Sequence, residues 1–175
     1  MLVKLGGARA AGLLVNTIVM HRPDDDAIRN LAAEYRAYPV ALRGSDGELS
    51  DTLRAGVDAI AARESRHEQS ALLICLGDQP LLRLEVIRAL IDGWKHGALA
   101  VRPAYRDAPD TPGHPLLIDS SLWRYATEMR GDHGLAPVLT RRGVPIRGIP
   151  VGGSNPDVDT LEHLSQLEEL AGSAP

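Results

Sequence analysis

Apolar and polar positions along the chain follow two periodicities, and together they predict strands that alternate with helices. Short apolar runs rich in β-branched residues predict strands at 13–20, 38–42, 71–76 and 98–101. Helical spacing of apolar residues predicts helices at 24–35, from Ser50 onward and at 83–95. Strand–helix units of this length are typical of an α/β fold. We therefore expect a mostly parallel sheet in a three-layer arrangement with helices.

The pattern changes after residue 103, where a loop rich in Pro, Gly and Asp extends to residue 115. Beyond this loop we predict a strand at 115–118, helices at 119–129 and 135–142, a strand at 145–149 and a final helix at 160–170. The sequence of 175 residues contains no internal repeat and no linker long enough to divide it. We expect residues 1–175 to form a single domain.

The predicted strand at 71–76 is apolar throughout, which is typical of a strand that is buried on both faces and covered on both edges. It ends in Gly77-Asp78-Gln79-Pro80. A carboxylate at the carboxyl end of a parallel strand lies where open α/β sheets bind their ligands. Asp78 is therefore a candidate for chemistry, and the alternative is an aspartate that only forms a turn.

Composition narrows the class of protein. The formal net charge is −4 with no basic block, which argues against a nucleic-acid partner. No apolar run approaches the roughly 20 residues that span a bilayer, and the N-terminus does not have the pattern of a signal peptide. The single cysteine, Cys75, falls in a predicted buried strand, where it is expected to be a small core residue. We expect a reduced, cytoplasmic protein without membrane contact.

Five short motifs stand in a specific order along the chain. They are Gly47, Ser50, Leu53, Arg54 and Gly56 in a GxxSxxLRxG-like stretch, then Leu76 to Pro80, Gly113-His114-Pro115, Gly131-Asp132-His133-Gly134 and Asp157-Val158-Asp159-Thr160. In this order they resemble the MobA-like nucleotidyltransferases, and within them the MocA-type molybdenum cofactor cytidylyltransferases. The resemblance implies a Rossmann-like fold of the nucleotide-diphospho-sugar transferase kind. It also implies a reaction that uses a nucleoside triphosphate and Mg²⁺.

The resemblance also assigns roles to individual residues. Asp78 would be catalytic and a metal ligand. The resemblance implies that the nucleotide is bound by Gly47, Ser50, Gly77 and Asp78. It implies that the acceptor is bound by Gly113, His114, Pro115, Asp132 and His133. The metal ligands that it implies are Asp78, Asp159 and Asp157.

The chemistry requires residues of these types. When a substrate phosphate attacks the α-phosphorus and expels pyrophosphate, negative charge accumulates on the reacting oxygens. Mg²⁺ takes one or two carboxylates and keeps water and phosphate oxygens. Asp157 and Asp159 are two residues apart, so in an extended segment both point to one side, and the resemblance favours Asp159 as the second ligand.

Each candidate also has a structural alternative. Asp159 could cap the final helix, with Glu162 completing a capping box. Ser50 could cap its own helix, and Asp132 could cap the helix that starts near Leu135. His114 could be an ordinary histidine of a surface loop. On the residues alone these alternatives remain open.

The N-terminus departs from the family pattern, which begins with a strand and a glycine-rich loop whose Arg and Lys contact the triphosphate. Residues 1–7 look like the segment after that loop. If residues 2–5 were the first strand, only seven residues, 6–12, would separate it from the next one, and a parallel crossover needs a dozen or more. We expect the strand slot beside 71–76 to require residues beyond those shown, with a break in geometry or extra residues near Gly7 and Ala8.

The leading functional hypothesis is transfer of a nucleoside monophosphate from a triphosphate to a phosphorylated acceptor such as molybdopterin, with release of pyrophosphate. CTP is favoured over GTP, and a molybdoenzyme or a maturation factor would be the protein partner. One alternative is an oxidoreductase of the kind that acts on nicotine-derived pigments. The other is a non-catalytic relative that binds or chaperones a cofactor.

Overall fold

A computed structural model describes residues 2–43, 47–63, 70–160, 162, 163 and 165. The strands are β1 Ile18–His21, β2 Tyr38–Ala41, β3 Ala71–Ile74, β4 Ala100–Tyr105, β5 Leu116–Asp119 and β6 Arg147–Val151. The helices are α1 Leu2–Ala10, α2 Asp26–Glu34, α3 Leu49–Ala61, α4 Leu84–Lys95 and α5 Leu135–Arg141, with a 3₁₀ helix at Ser120–Glu128. No helix in these ranges is long and apolar enough to cross a membrane.

The predicted order of strands and helices is confirmed from β1 to β6, with local differences. The strand predicted at 13–20 begins only at Ile18, because Leu13 and Leu14 pack instead against the core beside α4. The strand predicted at 98–101 runs from Ala100 to Tyr105, and the helix predicted at 119–129 is a 3₁₀ helix. Most of the helix predicted at 160–170 lies outside the described residues.

The strands form two sheets, one of order β3-β5-β4-β6 and one in which β1 pairs with β2 in parallel. In the larger sheet β5 is antiparallel to both β3 and β4, and β4 is parallel to β6. It follows that β3, β4 and β6 run in one direction, so their carboxyl ends meet at one edge. This confirms the expected Rossmann-like α/β fold with a mostly parallel sheet.

The larger sheet lies between two helical layers. Alternate side chains of β5 point to opposite faces, as strand geometry requires. Leu117 packs with Val86 and Leu90 of α4, whereas Leu116 and Ile118 pack in a cluster with α3, the 3₁₀ helix and α5. The hydrophobic core is thus divided between the two faces, and the three-layer prediction is confirmed.

The prediction for the strand at 71–76 is wrong in part. It ends at Ile74, its four residues are only half-buried, and β5 covers one edge. Neither the other edge of β3 nor the outer edge of β1 has a partner among the described strands. Both strands line a cleft of about 1200 Å³, which has mainly apolar walls that include Val19, Leu72 and Ile91. The cleft therefore separates the two sheets at the position where the sequence predicted that a further strand would lie beside residues 71–76.

Residues 2–5 are not a strand, so that interpretation of the N-terminus is wrong. They belong to α1, in which Leu5 and Ala8 are buried against the α4 side of the core. The expected break near Gly7 and Ala8 is also wrong. The chain is continuous there, and the carbonyls of Gly7 and Ala8 accept hydrogen bonds from Ala11 and Leu13. Gly12, with φ of +71°, ends the helix in the left-handed region that favours glycine.

Candidate functional site

The loop after β3 lies against the loop after β6, at the edge where the parallel strands end. The backbone N–H of Val158 donates to the carbonyl of Asp78 at 2.9 Å. The Gln79 amide nitrogen donates to Asp157 Oδ1 at 2.7 Å, and Asn155 donates to Gln79 Oε1 at 3.2 Å. Gln79 and Asn155 are buried, so the hydrogen bond between them is protected from water. Sequence reasoning missed both residues, although Gln79 stands inside the motif it used.

The three aspartates predicted as metal ligands lie on the two loops that meet at this junction. Asp157 and Asp159 flank Val158, whose backbone is hydrogen-bonded to that of Asp78. All three aspartates are exposed. Asp157 is engaged by Gln79, whereas the Asp159 carboxylate has no hydrogen bond or ion pair with any described residue. Asp159 does not cap the final helix, because the His163 N–H donates to Thr160 Oγ1 at 3.1 Å.

The described residues contain no group of three or more His, Cys, Asp or Glu side chains that could hold a metal ion by themselves. Mg²⁺ does not require such a group, because it binds through one or two carboxylates together with water and substrate phosphates. Asp78 and Asp159 present exposed carboxylates at one edge of the sheet. Their donor type is therefore the one that Mg²⁺ takes.

The Gly113-His114-Pro115 segment is packed against β4. Gly113 is buried, and a Cβ atom at this position would lie 2.3 Å from the carbonyl oxygen of Pro103. The Tyr105 hydroxyl donates to the backbone oxygen of His114 at 3.0 Å. His114 is half-buried and Pro115 is buried, with a cis peptide bond between them. The alternative of a free surface-loop histidine is therefore wrong.

His114 lies within electrostatic reach of the carboxylate junction. Burial lowers the pKa of the imidazole, and the positive charge of Arg102 lowers it further. Asp157 and Asp78 act in the opposite direction on the same pKa. Since these charges influence His114, the histidine, both aspartates and Arg102 belong to one region of the molecule. Three of the predicted motifs thus meet here.

The Gly131-Asp132 turn contacts the start of α3 rather than α5. The Ser50 N–H donates to the Gly131 carbonyl at 3.1 Å, and the Leu49 N–H donates to Asp132 Oδ1 at 3.4 Å. In return the Gly131 N–H donates to Glu48 Oε2 at 2.8 Å. Asp132 therefore does not cap α5, and Ser50 does not cap α3, because it lies inside that helix and its hydroxyl donates to Glu48.

The remaining candidates are distributed around the same edge. Gly47, Gly77 and His133 are exposed, and Gly47 immediately precedes the α3 cap residue Glu48. A cavity of about 790 Å³ is lined by Leu76, His114 and Gly134, and each of these residues belongs to a different motif. Cys75, next to Leu76, is not part of this chemistry, because burial raises the pKa of its thiol to about 12.

We expect the folded protein to lose stability as pH falls below the unfolded histidine pKa of about 6.5, and His114 to account for part of this loss. Because the folded-state pKa of His114 is lowered, the unfolded chain binds more protons in the window below that value. The stabilisation is complete above the unfolded pKa and declines toward the lower folded one. Urea unfolding at several pH values checks this, and His114→Asn should flatten the dependence. An unchanged slope in the variant would contradict it, and His96→Asn, at an exposed helix end, is the control.

Comparison with known proteins places the chain in a family. Residues 6–146 match the MobA-like NTP transferase domain. The chain belongs to this family. No curated protein matches the sequence. As a member of the MobA-like NTP transferases, the chain has the fold of a nucleotidyltransferase.

Solved structures share the fold. Rv0371c from Mycobacterium tuberculosis H37Rv is 26% identical, with a TM-score of 0.75 over 95% of this chain and 82% of that one. A structure of Rv0371c in complex with manganese is 24% identical, with a TM-score of 0.70 over 95% and 84%. CMP:2-keto-3-deoxy-manno-octonic acid synthetase complexed with CTP is 13% identical, with a TM-score of 0.72 over 98% and 86%.

A further similar structure is the molybdopterin-guanine dinucleotide biosynthesis protein A from Archaeoglobus fulgidus. It is 17% identical, with a TM-score of 0.62 over 99% of this chain and 86% of that one. At such identities the likeness concerns the fold, and the chemistry has to be argued from the residues of this chain.

Proposed function

We propose that this protein transfers a nucleoside monophosphate from a nucleoside triphosphate, with CTP favoured, to a phosphorylated acceptor of the molybdopterin type and releases pyrophosphate. The observation that carries the proposal is the junction at the carboxyl end of β3. There Asp78 lies against the loop that holds Asp157 and Asp159, within electrostatic reach of His114.

In this proposal Asp78 and Asp159 bind Mg²⁺. The metal supplies neutralisation of the charge that develops on the phosphates. The hydrogen bonds of Gln79 to Asp157 and Asn155 orient the Asp157 carboxylate and connect the Asp78 loop to the loop that carries Asp159. A structure of the similar protein Rv0371c is a complex with manganese, which supports the use of a divalent cation.

The proposed substrates follow from the resemblance in motif order and from the similar structures. One of these holds CTP, and another is a molybdopterin-guanine dinucleotide biosynthesis protein. Gly47, Ser50 and Gly77 would lie on the nucleotide side, and Gly113, His114 and Pro115 on the acceptor side with Asp132 and His133. The hydrogen bonds between Gly131-Asp132 and the start of α3 support a common wall for both substrates.

Pyrophosphate release tests the proposal directly. The purified protein is incubated with Mg²⁺, molybdopterin and either CTP or GTP, and pyrophosphate and the dinucleotide product are quantified. We expect pyrophosphate and dinucleotide in equal amounts, faster with CTP. Acceptor binding without pyrophosphate release would instead indicate a non-catalytic relative. Tight binding of NAD(P)H or flavin, with no pyrophosphate, would indicate an oxidoreductase.

We further propose that the working enzyme holds one more strand, followed by the triphosphate loop, in the cleft between β1 and β3. Two strand edges that have no partner among the described strands line this cleft, and an extended segment would pair with both. Thr17 also lines the cleft, and its buried hydroxyl has no hydrogen-bond partner among the described residues. A strand ahead of α1 would reach β1 through α1, a connection long enough for a parallel crossover.

Thr17→Val tests whether the cleft is occupied. In a protein of residues 1–175 whose cleft is open, removal of this hydroxyl should raise the free energy of unfolding by about 1 kcal/mol. With a strand in place the hydroxyl gains a partner, and the same change should lower it by a similar amount. Urea unfolding measures the sign, and Thr127→Val, whose exposed hydroxyl bonds to Arg124, is the control. If Thr17→Val stabilised the protein as it is isolated from cells, that result would contradict the presence of a strand in the cleft.

A further inference from the structure

The cavity of about 790 Å³ beside His114 has an unusual distribution of charge. Its walls are mostly apolar and include Leu53, Ile74, Leu135, Val144 and Ile146. Among the residues that the structure describes, Arg102 is the one lining residue with a permanent charge, and no aspartate or glutamate lines this cavity. The volume is in the range of sites that enclose a small molecule. A ligand that complements these walls is largely apolar and carries an anionic group at one end.

The sheet fixes the backbone of Arg102, whereas its side chain makes no polar contact with the described residues. It lies on β4 between the buried residues Val101 and Pro103, and its Cα is in register with that of Gly148 on β6. The side chain is half-buried, and its guanidinium makes no hydrogen bond or ion pair with the residues that the structure describes. A cation removed in part from water without a partner is costly, and an anionic ligand offsets that cost.

The position of Arg102 also relates the cavity to the carboxylate junction. His114 lines the cavity and is influenced by the charges of Arg102, Asp78 and Asp157. Arg102 and His114 therefore line one cavity, and His114 connects that cavity electrostatically to the junction. The planar guanidinium can donate two parallel hydrogen bonds to a phosphate, which fixes the orientation of the group as well as its position.

We propose that Arg102 binds the phosphate monoester of the acceptor, while the apolar walls of the cavity enclose its ring system. This inference rests on the proposed function and names the acceptor class of that site, a phosphate monoester joined to a flat ring whose faces lie against the apolar walls. In the reaction, an oxygen of this phosphate forms the new bond to the α-phosphorus. The bond to the bridging oxygen of pyrophosphate breaks, and pyrophosphate leaves with that electron pair. Arg102 would position the attacking group.

Binding of a simple probe tests the proposal without any nucleotide. Phenyl phosphate carries the two features that the cavity selects, and phenol has the ring without the anion. Titration calorimetry should show that Arg102→Gln weakens phenyl phosphate binding on the order of 10- to 100-fold, as expected for loss of a charged hydrogen bond. Arg102→Lys should retain part of the affinity, because the lysine ammonium keeps the positive charge but cannot donate two parallel hydrogen bonds. Arg88→Gln, at an exposed position on α4, should bind as the wild type does.

The same variants separate this inference from the proposed function. With molybdopterin and CTP, Arg102→Gln should raise KM for the acceptor and leave KM for CTP unchanged. Wild-type affinity of Arg102→Gln for phenyl phosphate, with the fold confirmed by circular dichroism, would overturn the inference, as would equal binding of phenol and phenyl phosphate. Failure of pyrophosphate release with every triphosphate would instead contradict the proposed function, and the probe measurement would still decide the role of Arg102.

Discussion

Asp78→Asn is expected to reduce metal-dependent pyrophosphate release by about a thousandfold or more, because a metal that neutralises phosphate charge contributes several kcal/mol to the transition state. The fold should survive. Asp78 is exposed, and its contact with Val158 uses the backbone carbonyl, which the substitution leaves in place. Initial rates over a range of Mg²⁺ concentrations, with saturating CTP and acceptor, measure the effect. Asp107→Asn, an exposed loop residue, is the matched control.

The other two aspartates should respond differently from one another. Asp159→Asn removes a carboxylate without a described partner, so its rate loss should approach that of Asp78→Asn. Asp157→Asn changes the acceptor of the Gln79 hydrogen bond, and its effect should be smaller. A rate in Asp78→Asn that equals the wild-type rate at saturating Mg²⁺ would exclude Asp78 as an essential ligand. A larger loss for Asp157→Asn than for Asp159→Asn would make Asp157 the second ligand.

Gly113→Ala is expected to lower the free energy of unfolding by about 3 kcal/mol, as overpacking against a rigid neighbour does. The added Cβ would lie 2.3 Å from the Pro103 carbonyl oxygen and 2.8 Å from Pro103 Cγ, and neither can move without shifting β4. Urea unfolding followed by circular dichroism measures the loss. Gly152→Ala is the control, since its Cβ would meet no atom within 4 Å, and it should change stability little.

The same substitution should also change the site. His114 follows Gly113 directly, and its carbonyl accepts the Tyr105 hydroxyl, so a displaced loop would move the imidazole away from Arg102. Acceptor affinity should therefore fall together with stability. If Gly113→Ala unfolded at the wild-type urea concentration, the close approach to Pro103 would not exist in solution.

Local patterns in the sequence were sufficient for the strands, helices and their order. The apolar stripe of α4 at Val86, Ile87 and Leu90 predicted a helix at 83–95, and the structure has Leu84–Lys95. Such elements can be predicted from the sequence because their periodicity involves residues that are close together in the chain. The placement of Asp78 after an apolar strand was readable for the same reason.

Only the tertiary structure decided which residues share the site. Gln79 and Asp157 are 78 positions apart in the chain, and Leu49 and Asp132 are 83 apart, so no local pattern connects them. The same is true of the open edge of β3, which looked like a fully covered strand because apolar residues do not reveal which strand pairs with them. Arg102 had no motif at all. Its position in a cavity that no described aspartate or glutamate lines depends on how β4 packs against the Gly113 loop and α5. Packing between distant segments is what the sequence alone does not display.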